Sequence, residues 1–295
     1  MSLALAAALA KLLENACATL PASAFTVSQR RAMDELARKT GALRVKTEGS
    51  GSVYQALNAD LLRVHLKSLR PQSPNQIDPD IPRRAANIAH GRNSKSRAHG
   101  HELHYLLVKA SSEGVCWEKG QGGARRVLDL SALTAIAGAG VLALSEEDDW
   151  HSGQTLWLVE NQALFDRLDW MPKGVQGTLA YYAGHLPTRV LQWLAARRRV
   201  PEVVLFPDYD GVGLLNYARL REVCASPCSF WLLPGWPSLL AHYGSNEIWR
   251  NTQAEFHAAV ARLEAAGMED GLRDLYLALS QQGLALEHEA VWLAK

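Results

Sequence analysis

One apolar run in the chain ends abruptly in two acids and two glycines: Val203-Val204-Leu205-Phe206-Pro207-Asp208-Tyr209-Asp210-Gly211-Val212-Gly213. A short apolar run rich in β-branched and aromatic residues, bounded by turn formers, predicts a buried strand of a parallel sheet. Ligand sites of open α/β sheets lie at the carboxyl ends of such strands, which is where Asp208 and Asp210 stand. Gly211 and Gly213 allow the backbone to turn tightly into a following helix. Because two neighbouring carboxylates repel each other unless a cation lies between them, the run predicts a site for Mg²⁺ or Mn²⁺.

An earlier strand also ends in an acid. Thr155-Leu156-Trp157-Leu158-Val159 is followed by Glu160, and residues 162–168 have the pattern of a helix. Strands at 178–182, 202–206 and 228–233 then alternate with helices at 187–199 and 214–224, which predicts a parallel α/β sheet flanked by helices. We expect Glu160 to be a metal ligand or a general acid/base. Each acid taken singly also has a purely structural explanation. It either caps the following helix or is an acid that the dipole of that helix stabilises.

The order of these motifs resembles a known family. The series consists of Val159-Glu160-Asn161, Tyr182-Ala183-Gly184-His185-Leu186-Pro187-Thr188-Arg189, Asp208-Tyr209-Asp210-Gly211 and Leu286-Glu287-His288-Glu289. It resembles the C-terminal Toprim-like domain of the JetD/MksG family over about residues 153–293. Members of that family are nuclease subunits of SMC-like Wadjet (MksBEFG) plasmid-defence complexes.

The resemblance implies a metal-dependent DNA endonuclease that hydrolyses phosphodiester bonds with water as the nucleophile. It implies Asp208 and Asp210 as ligands of Mg²⁺ or Mn²⁺, Glu160 as a further ligand or acid/base, and Glu287 and Glu289 as ligands that complete a second metal position. The expected partners are double-stranded plasmid DNA and an SMC-like ATPase complex with kleisin-type subunits. A homodimer is expected, because two sites cut both strands.

Two histidines bear on a departure from the family pattern. The family's usual Asp-x-Asp-Thr-His-Gly is here Asp208-Tyr209-Asp210-Gly211-Val212-Gly213, which lacks the histidine. His185 and His288 are the candidates to replace it. His185 and Arg189 follow a predicted strand, where they either contact DNA phosphates or only pack.

Two rival functions stay open. Relatives such as the topoisomerase VI A subunit cleave DNA with a tyrosine that becomes covalently attached to it. Tyr54 and Tyr105 are the only tyrosines ahead of the rear domain, and neither lies in the Arg-Asp-x-x-Tyr-like context of that group. The second rival is a non-catalytic DNA-binding adaptor with a degenerate Toprim-like domain.

The front of the chain is basic and the rear is acidic. Residues 1–126 carry 19 Lys and Arg against 10 Asp and Glu, whereas residues 127–295 carry 12 against 20. This asymmetry favours a polyanion-binding region beside a carboxylate-rich one, although two unrelated domains would show it by chance. We predict a mostly helical, winged-helix-like α+β domain at 1–70, a basic linker and small α+β DNA-binding region at 71–150, and a Toprim-like catalytic domain at 151–295. A small α+β dimerisation or docking module is the alternative for the first of these. In the second, residues 103–108 and 114–117 are predicted to form paired strands.

A basic segment follows a proline-rich linker. Lys and Arg displace counterions from DNA, so a basic loop there either follows a phosphate backbone or is simply solvated. The candidate DNA-binding residues in it are Arg83, Arg84, Arg92, Lys95 and Arg97.

No Gly-x-x-x-x-Gly-Lys-Ser/Thr occurs, so ATP binding by a P-loop is not expected. No apolar run reaches the length of about 18 residues that a membrane span needs. The apolar N-terminus lacks the basic start of a signal peptide and predicts a helix. We therefore expect a cytoplasmic protein.

Overall fold

The computed structural model describes residues 2–49, 51–72, 74–95, 103–120, 125–145 and 147–293. Contacts within the chain divide it into two compact units, Met1–His101 and Glu102–Lys295. This division differs from the predicted boundaries after residues 70 and 150. The difference arises because the main sheet of the second unit takes two of its strands from the region before residue 150.

The first unit combines helices with a small antiparallel sheet. Its elements are α1 (Ser2–Glu14), β1 (Thr19–Pro21), α2 (Val27–Thr40), β2 (Leu43–Glu48), β3 (Gly51–Ala56), α3 (Ala59–Leu69) and α4 (Arg83–Gly91). The sheet has the order β1–β3–β2, so that the first strand pairs with the far strand of a hairpin.

Helix α2 has clear start and stop signals. The Thr26 hydroxyl accepts a hydrogen bond from the Gln29 backbone N–H, and the Gln29 side chain accepts one from the Thr26 N–H. This capping box satisfies two N–H groups that a helix start leaves unpaired. Gly41 ends the helix at φ 64°. Met33 and Leu36 are buried and belong to the inward face of this helix.

The second unit is built around one six-stranded sheet. The second unit has eight strands, six of them in this sheet: β4 (His104–Ala110), β5 (Cys116–Lys119), β6 (Arg126–Asp129), β7 (Gly140–Leu144), β8 (Thr155–Val159), β9 (Gly177–Tyr181), β10 (Val203–Phe206) and β11 (Cys228–Phe230). Its helices are α5 (Leu130–Ala137), α6 (Gln162–Asp166), α7 (Thr188–Ala196), α8 (Gly211–Val223), α9 (Trp236–Tyr243), α10 (Asn246–Asn251), α11 (Gln253–Ala265) and α12 (Asp270–Gln282), followed by a 3₁₀ segment (His288–Leu293).

The main sheet has the order β11–β10–β8–β9–β4–β7. Strands β8 to β11 are parallel, as predicted, and β10 is buried along its whole length. Burial on both faces explains the continuous apolar composition of such strands. The fold is therefore a mixed α/β fold in which a four-stranded parallel part carries an antiparallel extension.

That extension corrects two predictions. The sheet is not purely parallel, because β4 pairs antiparallel with both β9 and β7. The predicted pairing of 103–108 with 114–117 is also wrong, because β5 pairs with β6 in a separate two-stranded sheet. Leu106, Val108 and Ala110 are buried on one face of β4, which favours its place inside the large sheet over a small solvated hairpin.

In the part of the chain that the structure describes, none of the helices is both long enough and apolar enough to span a bilayer.

Candidate metal centre at the carboxyl ends of the parallel strands

The carboxyl ends of β8 and β10 meet at a crevice. Val159 is paired with Phe206, so Glu160 and Asp208 follow neighbouring positions of adjacent parallel strands. From β8 the chain crosses to β9, toward one edge of the sheet, and from β10 it crosses to β11, toward the opposite edge. This is the topological switch point at which open α/β sheets bind ligands.

Glu160 is half-buried beside other acids. Burial first, and the charges of Asp208 and Asp210 next, raise the pKa of Glu160 to about 8. The Tyr182 hydroxyl, which is itself buried, donates a hydrogen bond to Glu160 Oε2 at 3.2 Å. This bond stabilises the carboxylate, so Tyr182 orients Glu160 and limits the increase of its pKa.

Asp210 is buried and caps helix α8. Its Oδ1 accepts a hydrogen bond from the Gly213 N–H at 2.8 Å. Burial raises the pKa of Asp210 to about 6, the Gly213 N–H opposes this, and the negative charge of Asp208 adds to it. One oxygen of Asp210 therefore caps helix α8, which is the structural alternative predicted for this residue. The negative charge of Asp210 still contributes to the site.

The glycines after Asp210 allow close packing. A Cβ on Gly211 would lie 1.9 Å from the Thr252 carbonyl oxygen, and one on Gly213 would lie 2.0 Å from the Asp208 carbonyl oxygen. Both atoms belong to the backbone. The glycines are therefore required by contact distance rather than by an unusual φ.

A distant segment completes the site beside Asp208. Tyr209 and Leu286 exchange two backbone hydrogen bonds, at 2.8 and 3.0 Å, which join the acidic turn to the segment 286–289. The His288 backbone N–H donates to Asp208 Oδ1 at 2.9 Å. The wholly buried His288 imidazole brings Nδ1 to 2.5 Å from the same oxygen, without the alignment of a hydrogen bond.

The Glu289 side chain lies beside those of Asp208 and His288. Its Oε1 accepts a hydrogen bond from the Asn161 side chain, while its buried Oε2 has no hydrogen-bond partner among the described residues. One potential ligand atom each from Asp208, His288 and Glu289 lies within 4.8 Å of the others. A buried carboxylate oxygen without a partner is unusual, and these donors fit a divalent cation held by Asp208 and Glu289.

Glu287 lies at the rim of this centre. Its side chain is exposed, and burial, then the charges of Asp208 and Glu289, raise its pKa. It belongs to the same electrostatic group but not to the cluster formed by Asp208, His288 and Glu289. The predicted role of Glu287 as a metal ligand stays a prediction.

The loop after β9 is held in shape by the Asn216 side chain of helix α8. Ala183 and Gly184 both have left-handed backbones, with φ 55° and 64°. The buried Asn216 side chain accepts from the Leu186 N–H and donates to the Gly184 carbonyl, each at 2.9 Å. A non-glycine residue in this conformation is strained and marks a loop whose shape the surroundings impose.

His185 and Arg189 are exposed on this loop and on the first turn of α7. Burial, and secondarily the charge of Arg189, lower the pKa of His104 at the start of β4. Because β4 runs antiparallel to β9, its start lies at the same sheet edge as the acids. The structure thus places Arg189 at the edge that holds the site, and its contact with phosphate stays a prediction.

The candidate DNA-binding residues of the first unit are partly on a helix. Arg83 and Arg84 are exposed in the first turn of α4, which corrects the expectation of a loop there. Asn87 and His90 are the buried residues of this helix, so its inward face is polar and lacks the apolar stripe that predicts a helix. Arg92 follows it with φ 57°, and Lys95 is exposed. Arg97 lies outside the described residues.

Sequence reasoning missed the supporting residues. It assigned no role to Tyr182 or Asn216, and it considered His288 only as a replacement for an absent histidine. Asn216 had a weak signal, since it is a polar residue between apolar ones on α8. The role of Tyr182 depends on a hydrogen bond across 22 positions and had no local signal.

The sequence has no match in two comparisons with known proteins. A scan against models of protein families finds no match, and no curated protein matches the chain. The functional interpretation therefore depends on the crevice and its residues.

The pKa of Glu160 leads to a stability prediction for the metal-free protein. Because its pKa is about 8 in the folded state and 4.5 ordinarily, Glu160 contributes stability that is fully present below pH 4.5 and lost as pH rises through 8. From pH 6.5 to 8.5, above the pKa of Asp210, we expect the wild type to lose about 2 kcal/mol more unfolding free energy than Glu160→Gln.

Urea denaturation in EDTA at the two pH values measures this difference. The amide in Glu160→Gln still accepts the Tyr182 hydrogen bond, so the variant isolates the charge. Glu247→Gln, at an exposed position on α10, is the matched control and should behave as wild type. Equal pH dependence in wild type and Glu160→Gln would show that the proton on Glu160 does not stabilise the fold.

Proposed function

We propose that this chain is a metal-dependent DNA endonuclease, the nuclease subunit of an SMC-like, Wadjet-type complex that acts on plasmid DNA. The observation that carries the proposal is that Asp208, at the switch point of a parallel sheet, lies beside Glu160 on one hand and beside Glu289 on the other. These acids come from three motifs that share the order of the JetD/MksG family. A purely structural role would not require three carboxylates from distant segments to share one crevice.

The chemistry follows from the state of each acid. A bound Mg²⁺ or Mn²⁺ supplies a Lewis acid and lowers the pKa of a bound water. Asp208 and Glu289 are the side chains that would hold it, because their oxygens lie together and Glu289 Oε2 is buried without a partner. Glu160, whose pKa is raised to about 8 in the metal-free protein, is suited to exchange a proton with the reacting water or the leaving oxygen.

The first unit supports DNA binding through its charge. Met1–His101 contains 15 Lys and Arg against 7 Asp and Glu. The sheet order β1–β3–β2, with α2 directly before the β2–β3 hairpin, is what a winged-helix-like unit would have. We infer that this unit binds the phosphate backbone, with Arg83, Arg84, Arg92 and Lys95 among its contacts.

The expected partners come from the resemblance. They are an SMC-like ATPase complex with kleisin-type subunits, closed circular DNA as the substrate and a second copy of this chain. A dimer is proposed because one centre of this size serves one strand at a time, whereas linearisation needs two cuts.

The test is cleavage of supercoiled plasmid by the purified protein with Mg²⁺ or Mn²⁺, with EDTA as the control. We expect nicked or linear product that EDTA abolishes. The reaction is repeated with the SMC-like partners and ATP, since a motor complex that licenses cleavage would leave the isolated subunit inactive. No product in the complete system, together with DNA binding that needs no metal, would favour the adaptor.

Denaturing gels of the same reactions test the tyrosine-dependent alternative. Tyr54 is buried and donates a hydrogen bond to Asp34 at 2.8 Å, which disfavours it as a nucleophile. Tyr105 is 67% exposed on β4 and is the remaining candidate. We expect no protein covalently attached to DNA, and full cleavage by Tyr105→Phe. A covalent complex that Tyr105→Phe abolishes would replace hydrolysis with transesterification.

A further inference from the structure

A buried histidine, His288, lies beside the carboxylates of Asp208 and Glu289. The imidazole of His288 is fully buried and packs against the Phe206 ring, with ring centroids 5.3 Å apart. Neither Nδ1 nor Nε2 has a hydrogen-bond partner among the described residues, although Nδ1 comes within 2.5 Å of Asp208 Oδ1. Buried polar atoms are almost always hydrogen-bonded. An imidazole in which neither nitrogen makes a hydrogen bond with a described residue, and in which Nδ1 meets only a misaligned carboxylate oxygen, needs an explanation.

A third buried atom without a hydrogen-bond partner in the described part of the chain lies beside the imidazole. Glu289 Oε2 is buried and also lacks a partner among the described residues, although Asn161 holds the other oxygen of the same carboxylate. Ligand atoms of Asp208, His288 and Glu289 lie within 4.8 Å of one another. Ligands of one cation at about 2.1 Å stand at most about 4.2 Å apart, so small side-chain rotations bring all three to one ion.

The surroundings hold these ligands in place. The backbone bridge between Tyr209 and Leu286 fixes the segment that carries His288 and Glu289 against the turn that carries Asp208. Asn161 orients Glu289 from the end of β8. Fixed orientation of ligands by a surrounding shell is what functional metal sites show.

We propose that His288 is a nitrogen ligand, with Asp208 and Glu289, of a site that selects a first-row transition-metal cation such as Mn²⁺ over Mg²⁺. Imidazole suits transition metals, whereas Mg²⁺ prefers oxygen ligands and retains its waters. A site of two carboxylates alone would not distinguish the two ions in this way. This inference deepens the proposed function, on which its relevance to cleavage rests, but the binding itself does not depend on nuclease activity.

The test is metal binding by the purified full chain. Isothermal titration calorimetry with Mn²⁺ and with Mg²⁺ compares wild type, His288→Gln and the control His257→Gln, which changes an exposed histidine on α11. We expect the wild type and the control to bind Mn²⁺ at least about tenfold more tightly than Mg²⁺. In His288→Gln we expect Mn²⁺ affinity to fall about tenfold or more, since ligand and shell changes cost about 10- to 100-fold, with Mg²⁺ affinity changed less than about threefold. Unchanged Mn²⁺ affinity, or an equal loss for both ions, would overturn the inference.

A second measurement does not need a folded variant. Pulsed electron paramagnetic resonance of the wild type loaded with Mn²⁺ should show modulation from a directly coordinated ¹⁴N nucleus. Absence of nitrogen coupling in a protein that binds Mn²⁺ would reject His288 as a ligand. Selective Mn²⁺ binding without cleavage in the complete system would overturn the nuclease and keep this site. Metal-dependent cleavage by a protein whose Mn²⁺ affinity is the same in wild type and His288→Gln would keep the nuclease and overturn this site.

Discussion

Replacing Asp208 with asparagine is expected to reduce metal-dependent plasmid cleavage by about 10³-fold or more while the protein stays folded. Asp208 is the residue that links the acids of the crevice to the segment 286–289, through its charge and through its contact with His288. Loss of its charge removes an oxygen ligand and part of the negative potential that attracts a divalent cation. Preorganised charged groups of this kind account for a large part of an enzyme's rate enhancement. The loss of one of them is therefore expected to cost about 10³-fold or more.

Asparagine is the informative replacement because it preserves the backbone contact. Its Oδ1 still accepts the His288 N–H that Asp208 accepts at 2.9 Å, so the segment 286–289 stays attached. Asp274→Asn, at an exposed position on α12, is the matched control and should cleave as wild type does. Circular dichroism and thermal melting verify the fold of both variants. Cleavage by Asp208→Asn within about tenfold of wild type would remove this residue from the chemistry.

Replacing Gly211 with alanine is expected to destabilise the protein by about 3 kcal/mol or more. The new Cβ would lie 1.9 Å from the Thr252 carbonyl oxygen and 2.6 Å from the Phe256 N–H nitrogen. Both atoms are backbone atoms at the start of α11, so no side-chain rotation relieves the clash. Helix α8 or α11 must move instead, and α8 begins at the residue after Asp210.

Urea denaturation of Gly211→Ala, beside Gly153→Ala, measures this cost. A Cβ on Gly153 meets nothing within 4 Å, so that control should lie within about 0.5 kcal/mol of wild type. We also expect weaker metal binding by Gly211→Ala at temperatures where it is folded, because a shift of α8 moves the turn 208–210, which directly precedes this helix and carries Asp208. A loss below about 1 kcal/mol would mean that the two helices are free to separate.

The part of the site that sequence predicted best is the part with local signals. Glu160 and Asp208 each follow an unbroken apolar run, and the rule that ligands bind at strand ends brings them together without knowledge of other contacts. Glu289 was assigned through the family resemblance alone. Its place depends on the Tyr209–Leu286 bridge, which joins positions too far apart for periodicity to reveal.

The remaining differences have the same physical origin. The pairing of β4 with β9 joins residues about 70 positions apart, and no local pattern distinguishes it from a hairpin with β5. Helix α4 buries Asn87 and His90 in place of an apolar stripe, so its sequence has the composition of a loop. The contact of His288 with Asp208 joins a histidine to an acid 80 residues earlier. The pairing of β4 with β9 and the contact of His288 with Asp208 are non-local contacts, which a local pattern does not reveal.

The bridge between the acidic turn and the segment 286–289 also affects the order in which the site is made. A ribosome that adds about 5–20 residues per second reaches His288 roughly 4–16 seconds after Asp208. During that interval the nascent chain already contains Glu160 and both aspartates but not the histidine or Glu289. The proposed metal centre therefore cannot be complete until the last strand of the sheet and four further helices have been synthesised.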